Sequence, residues 1–103
     1  GAPPPKLTAY VTAKMALLGL TRSLAVELGC HGATVNMVSP GLTRTDLTRE
    51  TSPRSFLLEA QRNPMRRIGE PEDVAALVCF LMSDEASFLN GVNLPVTGGM
   101  VMP

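Results

Sequence analysis

Residues 8–29 read TAYVTAKMALLGLTRSLAVELG, and this run predicts one long helix. Apolar side chains recur along it at helical spacing, Thr8 can cap its start, and Gly29 suits the position just after its end. Two apolar stripes result, and they fall on different sides of the helix. The first comprises Leu17, Leu20, Leu24 and Leu28, and the second comprises Val11, Met15, Leu18 and Ala25. We therefore expect this helix to be buried on two sides, which needs more protein than 103 residues contain.

Tyr10 and Lys14 lie four residues apart on this helix, so their side chains share a face. A tyrosine hydroxyl ordinarily has a pKa near 10, and a neighbouring ammonium group favours the ionised form. Such a pair suits proton transfer to or from a carbonyl or alcohol oxygen. The same spacing also arises on ordinary helices that carry a half-exposed Tyr and a Lys extending into solvent. The pair alone leaves both interpretations open.

The rest of the chain predicts an α/β arrangement. Residues 33–39 (ATVNMVS) and 91–96 (GVNLPV) are typical of short strands, and residues 54–62 of a short helix. A further helix begins at Pro71, with an apolar stripe of Val74, Leu77, Val78 and Leu81. Strands joined by a helical crossover pair in parallel, and two strands alone leave faces and edges uncovered. We therefore expect a parallel sheet that is incomplete on its own.

Composition excludes several classes of function. Nine basic and nine acidic side chains cancel, which argues against nucleic acid or an anionic membrane surface as a partner. No apolar run reaches the roughly 18 residues of a membrane span, and the first residues lack signal-peptide organisation. Cys30 and Cys79 cannot form a disulfide framework, and Cys30-His31 has no second cluster to complete a metal site. We expect two reduced thiols, a solvent-facing His31, no metal and a cytoplasmic location.

Four motifs follow one another along the chain, namely Tyr-x-x-x-Lys at 10–14, an acidic-Leu-Gly helix end at 27–29, VNMVSPG at 35–41 and TRTDL at 43–47. The segment NPMRRIGEPEDVAALVCFLMSDEASFLNGVNLPVTGGM then occupies residues 63–100. In this order and spacing the chain closely resembles the short-chain dehydrogenase/reductase family, in particular its 3-oxoacyl-carrier-protein reductase type. The resemblance implies the C-terminal portion of a Rossmann-like doubly wound parallel sheet, with two strands, two long helices and one short lid helix.

The resemblance also implies roles for individual residues. Tyr10 would be the general acid/base, and Lys14 would support its ionisation and bind the nicotinamide ribose hydroxyls of NAD or NADP. The other implied cofactor contacts are Pro40 and Gly41 against the nicotinamide, the Thr43 backbone and the Thr45 hydroxyl. The substrate would be a small-molecule carbonyl compound or alcohol. Simpler interpretations stay open, in which Pro40 and Gly41 end a strand and Thr45 caps a helix.

Residues 46–68 would form a substrate lid, because long irregular segments beside a site often gate it. Its apolar side chains are Leu47, Phe56, Leu57, Leu58 and Met65, and its arginines include Arg62, Arg66 and Arg67. This set would suit an apolar acyl or ring substrate with an anionic group. The default interpretation is that the charges, including the Arg66-Arg67 pair, are simply solvated.

Several parts of the family's site have no counterpart in these residues, namely the Gly-rich phosphate-binding turn, the catalytic Ser and the active-site Asn. The resemblance therefore implies a missing N-terminal half, held in a separate chain or lost, and an inactive isolated chain. It also implies a homo-oligomer through helix 8–28, where Gly19 permits close approach, with Met100, Val101 and Met102 as an apolar tail. The alternatives are a non-catalytic interaction or dimerisation module and a complete small enzyme of another kind.

Overall fold

The computed structural model describes residues 7–45 and 50–102. Within these residues, three helices and two strands occur in the order α1 (Thr8–Gly29), β1 (Met37–Pro40), α2 (Pro53–Arg62), α3 (Pro71–Leu81) and β2 (Asn93–Val96). A short 3₁₀ helix, Asp84–Ala86, follows α3. The predicted α/β class is confirmed. Only α1, at 22 residues, is long, since α3 has 11 residues and α2 has 10.

The two strands lie side by side in a parallel sheet. The Met37 N–H donates to the Val92 carbonyl at 2.8 Å, and the Gly41 N–H donates to the Val96 carbonyl at 3.0 Å. The parallel pairing predicted from the helical crossover is therefore confirmed. Both strands are four residues long and shorter than predicted, so the sheet leaves backbone edges uncovered.

The chain divides into two compact units. Among the described residues, the first unit comprises 7–37 with 88–93, and the second comprises 38–45, 50–87 and 94–102. None of the described helices is long and apolar enough to span a membrane.

Asparagine side chains hold the first unit together before β1 begins. Asn90 donates from Nδ2 to the Ala25 carbonyl of α1 at 2.9 Å and accepts the Val35 N–H at 2.9 Å. Asn36 accepts the Val92 N–H through Oδ1 at 3.2 Å. A backbone hydrogen bond from the Gly91 N–H to the Val35 carbonyl at 2.8 Å adds to these amide contacts. The strand itself begins later than predicted, at Met37.

Both predicted ends of α1 are corrected by the structure. Thr8 lies inside the first turn, and the cap is Leu7, whose carbonyl accepts the Val11 N–H at 2.9 Å without any side-chain cap. Gly29 is the last helical residue and does not turn the chain. The left-handed conformation that ends the turn belongs to Gly32, at φ 78°. Glycine suits that conformation because it has no Cβ.

The apolar stripes of α1 are largely exposed. Only Thr21 and Ala25 are buried on this helix. Leu17, Leu20 and Leu28 keep 46%, 54% and 37% of their surface exposed. The described residues therefore leave these stripes largely uncovered, which agrees with the expectation that burial of α1 on two sides needs more protein than 103 residues contain.

Local sequence signals place the helices of the second unit correctly. Ser52 caps α2 by accepting the Ser55 N–H at 3.1 Å, and Pro53 occupies its first turn. The alternative in which Thr45 caps a helix stays untested, because residues 46–49 directly after it lie outside the described residues. At α3, Pro71 opens the helix and Asp73 accepts the Glu70 N–H at 2.8 Å. Acidic side chains are favourable there because a helix N-terminus carries partial positive charge.

Candidate functional site

Tyr10 and Lys14 lie together in the first unit, as their spacing predicted. The Lys14 Nζ atom is 5.7 Å from the centroid of the Tyr10 ring. An ammonium group over an aromatic face at this distance is attracted by the ring. Tyr10 is 59% exposed, so its hydroxyl is accessible to a substrate. The structure thus presents a proton-carrying group and a cation as one accessible pair.

Pro40 and Gly41 lie at the carboxyl end of β1, in the second unit. Pro40 is exposed and is the last residue of the strand, which agrees with its simpler interpretation as a strand terminator. A Cβ atom on Gly41 would contact Thr97 at 3.4 Å. Ligands of open α/β sheets bind beyond the carboxyl ends of the strands, so the position also suits a cofactor contact.

Thr43 and Thr45 differ in their surroundings. Thr43 is buried, and its hydroxyl donates to the Gly41 carbonyl at 2.9 Å. A short parallel bridge holds Thr43 beside Gly69, through the Gly69 N–H to the Leu42 carbonyl at 2.9 Å. Thr45 is exposed and is followed by residues 46–49, the start of the predicted lid, which lie outside the described residues.

A cleft of about 520 Å³ lies within the second unit beside these strand ends. Its lining includes Gly41, Asn63, Ile68, Gly69, Val96 and Gly98. Asn63 is not among the predicted site residues, although an Asn-Pro step after a helix is a turn signal. Asn63 is 8% exposed, and its side chain reaches residues that are 34 positions away along the chain. Helical periodicity could not have revealed that contact.

Arg67 and Asp73 form a bidentate ion pair at the base of α3. Arg67 Nη1 and Nη2 donate to the Asp73 carboxylate at 2.8 and 3.2 Å, and Nη1 also donates to the Ile68 carbonyl at 3.1 Å. Arg67 is exposed, as expected of a solvated Arg66-Arg67 pair, and it also has a fixed carboxylate partner in Asp73. The Arg67 hydrogen bond, with a second from the Glu70 N–H, lowers the pKa of Asp73 to about 2.

We predict that acid destabilises the protein in part through Asp73. Its folded pKa of about 2 lies below the ordinary value of about 3.9, so the unfolded state binds more protons between these values. The stabilisation is complete above about pH 5 and is lost as the pH falls towards 2. The Asp73→Asn variant should show a lower Tm at pH 7 and a smaller decrease in Tm on acidification. Thermal unfolding from pH 7 to pH 2.5 measures both, with exposed Glu72→Gln as control. An unchanged pH dependence would contradict this role.

Other arginines of the second unit also have internal partners. Arg44 pairs with Glu70 at 3.2 Å and lies over the Phe56 ring, 5.2 Å from its centroid. Arg66 has a positive φ of 59°, and its guanidinium donates to the Gln61 carbonyl. These contacts lie at exposed side chains, where ion pairs are weak.

Metal and disulfide chemistry find no support in residues 7–45 and 50–102. No group of three or more His, Cys, Asp and Glu side chains there could hold a metal ion. Cys30 and Cys79 are free, and both are exposed. His31 is exposed, which confirms its predicted solvent-facing position.

Comparisons with known proteins cover nearly the whole chain. A family model described as enoyl-(acyl carrier protein) reductase matches residues 3–101. The 3-oxoacyl-[acyl-carrier-protein] reductase FabG of Pseudomonas aeruginosa is 46% identical over 101 residues, covering 92% of this chain and 38% of the relative. The protein of the same name from Salmonella typhimurium is 43% identical over 93 residues, covering 90% of this chain and 38% of the relative. That from Rickettsia felis is 41% identical over 93 residues, covering 90% of this chain and 39% of the relative. The chain thus spans about two fifths of the length of these curated relatives.

Proposed function

The chain belongs to the short-chain dehydrogenase/reductase family, and we propose that it forms the C-terminal part of a Rossmann-like, NAD(P)-dependent oxidoreductase. The observation that carries this proposal is the accessible pair of Tyr10 and Lys14, with Nζ 5.7 Å from the ring centroid. The reaction is reduction of a carbonyl group or oxidation of an alcohol.

In the reducing direction, the carbonyl carbon accepts a hydride and Tyr10 donates its hydroxyl proton to the carbonyl oxygen. The product is an alcohol, and Tyr10 is left as a phenolate that solvent must reprotonate. The Lys14 ammonium stabilises the negative charge while it is present. In the oxidising direction Tyr10 accepts the proton, since one group serves both directions of a reversible reaction.

NAD or NADP supplies the hydride when it is bound. Lys14 would donate hydrogen bonds to the ribose hydroxyls, and Pro40 and Gly41 would lie against the nicotinamide ring. Thr43 and Thr45 would hold the carboxamide and phosphate region. The fit is partial. The half-buried Lys14 and the strand end at Pro40 suit such contacts, while the sequence of residues 1–103 contains no Gly-rich phosphate-binding turn. We therefore propose that a polypeptide of these 103 residues alone is inactive.

A contact through α1 is the second part of the proposal. Leu17 and Leu20 are about half exposed, and nothing lies within 4 Å of a Cβ built on Gly19. This surface is large and apolar, which is typical of a protein–protein contact. We propose that a second copy of the chain or a complementing N-terminal half covers it. A purely non-catalytic dimerisation module, derived from a reductase, would use the same surface.

The experiment that tests the proposal compares two preparations. One is a polypeptide of residues 1–103 alone, and the other is the native particle purified from its source. Native mass, denaturing gel and intact mass spectrometry identify the polypeptides, and NAD(P)H oxidation is followed with a 3-oxoacyl thioester, the substrate class in the relatives' names.

We expect turnover only in a particle that also contains a Gly-rich turn and a catalytic Ser. Turnover by residues 1–103 alone would refute the proposed need for a complementing part. A native particle that contains only this chain and shows no turnover would refute the enzyme proposal and favour the non-catalytic dimerisation module.

A further inference from the structure

Asn63 joins the end of α2 to the end of β2. Its backbone N–H closes α2 by donating to the Glu59 carbonyl at 3.0 Å. Its side-chain Nδ2 donates to the Thr97 carbonyl at 2.8 Å, and its Oδ1 accepts the Met65 N–H at 2.8 Å. Both polar ends of this buried amide are therefore satisfied, and each has a fixed direction. These two directed hydrogen bonds fix the orientation of the Asn63 side chain relative to the backbone at Met65 and Thr97, which apolar packing alone would not do.

The turn after β2 is shaped around this amide. Gly98 has a φ of 64°, and a Cβ atom placed on it would lie only 2.6 Å from Asn63 Oδ1. On the other side, Val96 accepts the Gly41 N–H at 3.0 Å. A continuous set of contacts thus links α2, the turn after β2 and the glycine at the end of β1.

We infer that Asn63 is a positioning residue, which holds α2 of the substrate lid in register with the carboxyl ends of β1 and β2. The inference rests on the proposed function, in which the nicotinamide that supplies the hydride would lie against Pro40 and Gly41 at the end of β1. Asn63 itself touches neither substrate nor cofactor. It acts through Thr97, and the positive-φ Gly98 leaves room for it. Loss of the amide frees the C-terminal end of α2, so the lid is less well ordered over the carbonyl substrate.

The kinetic test uses the native particle with Asn63→Ala and Asn63→Asp. The Asp variant keeps the shape and loses the N–H that donates to Thr97. We expect kcat/KM for the carbonyl substrate to fall by about tenfold, mainly through a higher KM, since one neutral hydrogen bond contributes about this factor. The Kd for NAD(P)H should stay within about twofold. The control is Gln61→Ala, an exposed position on the same helix, with unchanged constants.

A role in folding alone predicts a different result. Fewer molecules would then be active, so kcat would fall while KM stayed constant. That outcome in both variants, or wild-type constants in both, would overturn the inference.

A double-mutant cycle tests the contact even if single variants fold poorly. Gly98→Ala should lower Tm and kcat/KM, because its new Cβ collides with Asn63 Oδ1. In the Asn63→Ala background this collision is absent, so Gly98→Ala should lower Tm and kcat/KM by less than in the wild type. The remaining decrease reflects only the strain of the positive φ. Additive effects in an active enzyme would overturn the inference alone. A wild-type particle without turnover would overturn the proposed function. In that case Tm alone tests the inference, and additive effects of the Asn63 and Gly98 substitutions on Tm would refute the contact between these two residues.

Discussion

Replacing Tyr10 with Phe should lower kcat by about 10²- to 10⁴-fold, the range that a positioned general acid supplies. Phe keeps the ring under the Lys14 ammonium, which lies 5.7 Å from the ring centroid in the wild type. The variant therefore loses the transferable proton and little else. Steady-state NAD(P)H oxidation by the native particle measures kcat, and a fluorescence titration measures the Kd for the nucleotide, which should change by less than about twofold.

Two controls make the Tyr10 result specific. Thr12→Ala changes an exposed position on the same helix and should leave kcat unaltered. Lys14→Met should lower kcat and also raise the Kd for the nucleotide, because Lys14 has both roles in the proposal. A Tyr10→Phe variant within threefold of wild-type kcat would contradict the assignment of Tyr10 as the acid/base.

Truncating Ile68 should cause a large loss of stability. Ile68 is 7% exposed, and it is one of only four buried apolar residues in the described part of the chain. We expect Ile68→Ala to lower the free energy of unfolding by about 2–5 kcal/mol and Ile68→Val by about 0.5–1.5 kcal/mol, since each deleted methyl group leaves unfilled space. Urea titration of the native particle measures both.

The control for Ile68 is Met82→Ala. Met82 is 82% exposed, so its truncation should change the free energy of unfolding by less than about 0.5 kcal/mol. Equal losses at both positions would indicate that Met82 is covered in the native particle. An Ile68→Ala variant as stable as wild type would show that the buried position does not contribute to the core.

Features that depend on neighbouring residues were predictable. The Tyr10–Lys14 pair follows from the helical repeat, since side chains at i and i+4 share a face. Pro53 and Pro71 each open a helix, as prolines in a first turn do. The exact ends were less predictable. Leu7 takes the cap expected of Thr8, and Gly32 takes the left-handed position expected of Gly29. Helix ends fray, so their positions are defined only to within one or two residues.

The amino-acid sequence by itself determined the family, the α/β class and the residues that carry the proposed chemistry. These depend on short-range periodicity and on motif order, which are readable along the chain. Only the tertiary structure decided that Asn63 binds Thr97 and that Arg67 is held by Asp73. Such contacts depend on where distant backbone groups come to lie, and a single polar residue in a loop carries no periodic signal. The exposure of Leu20 on α1 is likewise a property of the packed chain.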